Sequence, residues 1–258
     1  MSDPAFFADE ADRRFQAACR EARMAQGRET KRRIIAGLAD DDWQNGLDGL
    51  AELGQQAVSP LFSALCSASP LVRWRAVTAF GVVVASLAAK TPEKARVVMR
   101  RFIWSLNDES GGIGWGAPEA MAEIMTQSPL LAREYHNHIA AYIHEDHCRP
   151  DCFLEYAPLR RGAVWGVARL AQVHPDLTAA TEPDLLCALG DCDAHIRGYA
   201  AWACGLMGLA AALPQLGELT TDSAALEIYR DRSLAETSVG TLAAEAISRI
   251  TGSTPAHT

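Results

Sequence analysis

No apolar run in the chain approaches the roughly 20 residues needed to cross a bilayer as a helix; the longest, Ala79–Ala89, is about half that, so no membrane is expected as a partner. Basic charge is also scarce. The 258 residues hold 24 Lys and Arg against 32 Asp and Glu, a net charge of −8. Nucleic-acid binders draw most of their affinity from a basic face, so no nucleic-acid partner is expected either. The opening MSDPAFFADEADRRF lacks the uninterrupted apolar stretch of a secretory signal. Seven cysteines, odd in number and irregular in spacing, suit a reduced chain better than a disulfide framework. These absences together lead us to expect a cytoplasmic protein. What is present is ordinary for a globular chain, 49% hydrophobic and 22% charged, with ample length for one or two cores.

The organising feature is a repeat. Val72–Val83 (VRWRAVTAFGVV), Ile113–Ile124 (IGWGAPEAMAEI), Leu159–Leu170 (LRRGAVWGVARL) and Ile196–Met207 (IRGYAAWACGLM) align without gaps. Position one is aliphatic, position five is always Ala, and positions eight and ten are always Ala or Gly. Position two is Arg in three of the four frames (Arg73, Arg160, Arg197), placed to reach back to an acidic or carbonyl group of the adjoining turn. Weaker copies begin at Asp42 and Val239, and successive frames start 30 to 46 residues apart. Small residues at these spacings let one helix nest against the next; large ones would hold the axes apart. A second helical segment follows each of the first five frames, near Ala57–Leu65, Glu93–Leu106, Leu130–His144, Pro183–Leu189 and Leu213–Leu219. Helical pairs joined by connectors carrying Pro, Asp, Ser or Gly predict an all-α solenoid of five to six hairpins.

The pattern (V/I/L)RxxAxxA(L/F/W)G resembles HEAT-like repeats of the short bacterial kind known from phycocyanobilin lyases, over about residues 42–250. SLNDESGGIGWGAPEAM (105–121), with EYAPLRRGAVWGVARLAQ (155–172), resembles a bacterial subgroup of such proteins, a resemblance that brings no assigned activity.

The two ends differ from this middle. Residues 13–33 carry eight basic against two acidic side chains, and Phe15, Ala18, Cys19, Ala22 and Ala25 fall near helical spacing. This predicts a basic helical cap within residues 1–40, ahead of a solenoid over 41–251. Its readings are a cap drawn to an acidic body or an arm that touches a partner. Between Leu226 and Val239 the hydrophobic period changes to alternation, with Asp231-Arg232 as the turn of a small β-hairpin that closes the solenoid's end. Residues 252–258 read as a disordered tail.

Three groups of residues are candidates for chemistry. Asn107, Asp108, Glu109, Trp115 and Glu119 belong to a Gly-rich stretch that opens a helix, with Pro118 suited to the first turn. Without a following Lys, and with three carboxylates, it is no phosphate loop. It reads either as a tight turn between repeats or as a recognition loop for a cationic or peptide-like partner. Arg160, Arg161, Trp165, Arg197, Tyr199 and Trp202 form a ladder along adjacent repeats. The tryptophans read as core or as the wall of a groove, and carboxylates at the same frame position (Asp48, Glu119, Glu245) favour the groove. His144, His147, Cys148 and Cys152 supply soft-metal donor types, but Pro150 and Asp151 break the helix and the spacing matches no zinc motif. Glu119/Glu123 and Asp48/Glu52 are i,i+4 pairs that suit a structural or solvated face. No catalytic residue and no cofactor emerges. The expectation is a non-enzymatic scaffold or adaptor that binds a protein or peptide along the groove. The alternative is a cofactor- or metal-handling factor, bilin-lyase-like or metal-binding.

Overall fold

The computed structural model describes residues 24–106, 114–145 and 152–252. Helix α1 covers 24–39 and is followed by α2 (Leu47–Leu53), α3 (Gln55–Leu65), α4 (Pro70–Lys90), α5 (Pro92–Leu106), α6 (Ala117–Gln127) and α7 (Pro129–Ile143). Then come α8 (Ala157–Ala171), α9 (Pro175–Thr178), α10 (Glu182–Ala188), α11 (Ala194–Met207), α12 (Leu213–Leu219), β1 (Ala225–Arg230), β2 (Ser233–Ser238) and α13 (Val239–Thr251). The helix starts follow from local chemistry. Ser69, Ser128, Asp193 and Ser238 each accept a backbone N–H of the following first turn, and Pro stands in the first turn of α4, α6, α7 and α8.

The repeat frames fall on α2, α4, α6, α8, α11 and α13, and each of these helices packs against the next as one row. Their partners back the row: α3 and α5 against α4, α7 against α6 and α8, α10 against α11, α12 against α13. This is the α-solenoid the periodicity predicts. The small positions do the work expected of them. Ala76, Ala79, Ala117, Ala120, Ala163, Ala168, Ala200 and Ala203 are all buried. A Cβ on Gly205 would lie 2.6 Å from Ala246 Cα, and one on Gly166 3.1 Å from Ala122 Cβ. Gly205→Ala should therefore push α11 and α13 apart and cost about 2–3 kcal/mol in urea unfolding. Gly217→Ala in α12 meets nothing within 4 Å and should be neutral or slightly stabilising in the same measurement.

The position-two arginines act as a repeated clamp. Arg73 donates to Ser67 O (3.2 Å), Arg160 to Leu154 O (3.0 Å) and Arg197 to Asp191 O (2.8 Å). Each guanidinium thus reaches the carbonyl six residues earlier and ties a connector to the helix that follows.

α4 departs from the expectation drawn from apolar runs. It has 21 residues and is long and apolar enough to cross a membrane by length and composition. Most of it is buried, packed on α2, α3, α5 and α6. At the N-terminal side, Ile34 and Leu38 of α1 join the core, and buried Arg75 of α4 donates to Leu38 O (2.8 Å) and Asp40 O (2.7 Å). Residues 1–23 of the expected basic cap, and 253–258 of the expected tail, lie outside the described residues; Gly252 ends α13 with φ +69°.

The β-hairpin forms as the alternation predicts, with Ala225 opposite Ser238 and Arg230 opposite Ser233. Its two turn residues, Asp231 (φ 53°) and Arg232 (φ 61°), both occupy the left-handed region, as a two-residue turn of this hand requires. Its place corrects the expectation that it closes the end of the solenoid. β1 lies across the inner face: the Tyr229 ring stacks on Trp74 of α4, Tyr229 Oη shares a 2.8 Å hydrogen bond with Thr78, and Trp165 Nε1 of α8 donates to Tyr229 O (2.8 Å). Tyr199 of α11 donates to Glu227 O (2.6 Å), and Arg230 pairs with Glu245 of α13 (2.7 Å). At the tip, Arg232 reaches Gln44 beside α2 (3.1 Å). A six-residue strand spans only about 20 Å, so the helix row must curve around it for both ends to touch.

Candidate functional site

The hairpin divides the inner face in two. Past the tip side of Tyr229 lies a hollow of about 330 Å³ lined by Thr78, Glu123, Arg169, Arg230 and Arg232 among others. Its charges are satisfied internally: Arg169 pairs with Glu123 (2.8 Å), which also accepts from Gln127 (2.8 Å). On the other side, at the starts of α4, α6, α8 and α11, lies a chamber of about 470 Å³. That size falls within the range of small-ligand sites. Arg73 and Trp74 come from α4, Trp115, Gly116 and Glu119 from the entry to α6, Arg161 and Gly162 from α8, His195 and Tyr199 from α11, and Glu227 from β1.

Local geometry aims Glu119 into this space. Gly116 caps α6 at φ +70°, and a Cβ there would press on Leu65 at 2.9 Å. Glycine therefore lets the entry turn sit against α3 and leaves Glu119 in the first helical turn. A Cβ on Gly162 would come within 2.5 Å of either Glu119 carboxyl oxygen. Glu119 thus lies over a bare stretch of α8 backbone. Its Oε2 is buried and has no hydrogen-bond partner among the described residues. Burial pushes the carboxyl up to about 7, opposed first by the residue's own backbone N–H and then by Arg73.

The donors around Glu119 are engaged elsewhere. Arg161 binds Asp193 through Nε (2.8 Å) and Nη2 (2.6 Å), Arg73 is held by Ser67 O, and Tyr199 is committed to Glu227 O. Burial first, and Arg161 second, hold His195 below the ordinary imidazole value. At the mouth, Trp115 is 39% exposed and meets the exposed Tyr156 edge to face at 6.0 Å.

The predicted ladder is brought together, but inside the molecule. Trp165 (1% exposed), Trp202 (3%) and Tyr199 (4%) face inward as expected, and the hairpin covers them. The reading of the tryptophans as an open groove wall is corrected accordingly. Arg160 is held by Leu154 O, Glu155 O (2.8 Å) and Asp191 (3.2 Å), and Arg197 by Asp222 (2.7 Å) and the 191–192 carbonyls. Those two guanidiniums therefore serve the fold. The Glu119/Glu123 pair is split between the two hollows. His144 bonds Asp184 (2.9 Å) while Cys152 is exposed, and no three metal-binding side chains converge among the described residues. Asn107, Asp108, Glu109, His147 and Cys148 lie outside the described residues.

Sequence reasoning missed Trp74, Gly162, His195 and Glu227. A signal for the first existed: Trp74, Trp115 and Arg161 share position three of consecutive frames, and all three line the chamber.

Comparison with solved structures finds a designed armadillo repeat protein in complex with the peptide (KR)4. It is 19% identical, with a TM-score of 0.47, over 84% of this chain and 98% of that one. A computationally designed armadillo repeat protein for modular peptide recognition is also 19% identical, with a TM-score of 0.42 and the same coverage. An engineered protein at 15% identity covers 87% of this chain and 97% of its own, with a TM-score of 0.47. No curated protein matches. A HEAT-like repeat family model matches residues 157–207, the stretch from the start of α8 to the end of α11.

Proposed function

We propose that this protein is a non-enzymatic scaffold that holds a protein or peptide partner on the inner face of its solenoid, at the chamber beside β1. The observation that supports this most is the chamber's make-up. It is the larger of the two hollows that the hairpin leaves on the inner face, and its wall draws on four successive helical units. A ligand there gains a few contacts from each unit, which is how repeat proteins build affinity. Trp115 at the mouth is the natural anchor, since a large aromatic at the edge of a hollow dominates many interfaces.

The test is affinity capture from the native host followed by mass spectrometry. It compares the intact protein with Trp115→Ala and with Trp104→Ala, whose side chain is 70% exposed on α5 away from the chamber. Trp115→Ala should lower recovery of the partner by about tenfold or more. Trp104→Ala should leave it unchanged, and both variants should melt like the parent. Equal recovery with all three proteins would refute the assignment.

A further inference from the structure

We propose that the Glu119 chamber is a recognition pocket for a single organic cation, a guanidinium or primary amine, seated on the Glu119 carboxylate between Trp74 and Trp115. The inference rests on the scaffold reading and names the ligand chemistry of the same site.

Three observations carry it. First, Glu119 lines a chamber of about 470 Å³, and its Oε2 is buried and accepts no hydrogen bond from the described residues. A buried carboxylate left in that state is costly, and a cationic donor offsets the cost best because it supplies both hydrogen bonds and charge. Second, among the described residues the nearby donors are engaged elsewhere. Arg161 is turned to Asp193, Arg73 to Ser67 O, and Tyr199 to Glu227 O. Third, the walls suit a cation. The indoles of Trp74 and Trp115 and the ring of Tyr199 line the chamber, and a guanidinium is stabilised over such faces. A second carboxylate, Glu227 of β1, lines the chamber as well. An anion would instead meet two carboxylates. Gly162 makes the seat possible, because any side chain there would occupy the carboxylate's place.

The site also carries a pH dependence. Glu119 must be ionised to hold the cation, and burial has brought its titration to about 7. The other titratable groups lining the chamber are Cys66 at the end of α3, Arg73 of α4, Arg161 of α8, His195 and Tyr199 of α11, and Glu227 of β1. Burial, and Arg161 after it, hold His195 below the ordinary imidazole value, and burial pushes Tyr199 far up. Binding should therefore strengthen by about tenfold between pH 6 and pH 8, with a proton released on binding at the lower pH.

The experiment is titration calorimetry on the full chain with propylguanidinium and with N-acetyl-arginine methylamide, against propylurea and propionate as uncharged and anionic controls. Both cations should saturate the protein, with Glu119→Gln and Gly162→Ala each weakening them by about tenfold or more. The tenfold gain from pH 6 to 8 should vanish in Glu119→Gln. Tighter binding of the capped arginine identifies a peptide side chain as the source, and equal binding a free small cation; either outcome supports the pocket. Saturation by neither cation, undiminished binding by Glu119→Gln, or preference for propionate would overturn it. Loss of the cation result with Trp115-dependent partner capture intact would remove this inference and leave the scaffold reading standing.

Discussion

Tyr229→Ala should lower the unfolding free energy by about 3–5 kcal/mol, the cost of deleting a large buried aromatic. Tyr229 is 4% exposed and joins β1 to α4, with its ring stacked 5.0 Å from Trp74 at an interplanar angle of 10°. Trp74 in turn lies 4.8 Å from Trp165, so the three rings form one cluster between the strand and the helix row. Truncation opens a hole in that cluster and leaves Thr78, 2% exposed, without its hydroxyl partner. Because Tyr229 also separates the two hollows, its loss should join them and expose Trp74, seen as a red shift in tryptophan emission. Hydrogen exchange should show β1 amides losing protection while α4 and α8 retain theirs. Tyr229→Phe keeps the rings and should cost only about 1 kcal/mol. A change below about 1 kcal/mol in the alanine variant would mean that the hairpin adds little to the fold, contrary to its burial.

The second large effect runs the other way. Glu119→Gln should stabilise the protein by about 3 kcal/mol at pH 8 and leave it nearly unchanged at pH 4. The carboxyl titrates at about 7 in the folded chain, against an ordinary value of 4.5. Folding therefore takes up a proton between those values, and stability falls as pH rises from about 4.5 through about 7. Below that window the glutamate is protonated and nearly isosteric with glutamine, so the two proteins should unfold alike. Above it only the parent carries a desolvated negative charge. Urea midpoints measured at pH 4, 6 and 8 check this directly; parallel curves would show that Glu119 is solvated in solution.

These two residues show how far the repeat pattern could be read. Position seven of the frames carries Thr78, Glu119, Trp165, Trp202 and Glu245. Mixed chemistry at one position in a helix row suggested a surface facing a trough, and that position does face inward. It did not show that β1 would lie there, with Thr78 and Trp165 bonded to Tyr229 and Glu245 to Arg230. Alternation near residues 226–239 announced a hairpin and its turn, because period two is a local property. Where the hairpin docks depends on contacts 151 residues away in the chain, at Thr78, and 188 away, at Gln44. Nothing local encodes those. The Arg at position two was legible for the opposite reason, since its acceptor is six residues back in each of the three frames that carry it.

Glycine and alanine spacing alone was enough to dictate a row of nested helices, because the closeness of two helix axes is set by side-chain size at the contact. Caps and prolines likewise marked where most helices begin, through hydrogen bonds spanning two or three residues. The tertiary structure alone decided that the inner face is shared between the chain's own strand and a chamber, and that Glu119 Oε2 lies buried over Gly162 without a hydrogen-bond partner among the described residues. Burial and charge compensation are sums over neighbours brought together by folding. A carboxylate therefore acquires its chemistry from α4, α8, α11 and β1 at once, and no stretch of sequence around it holds that information.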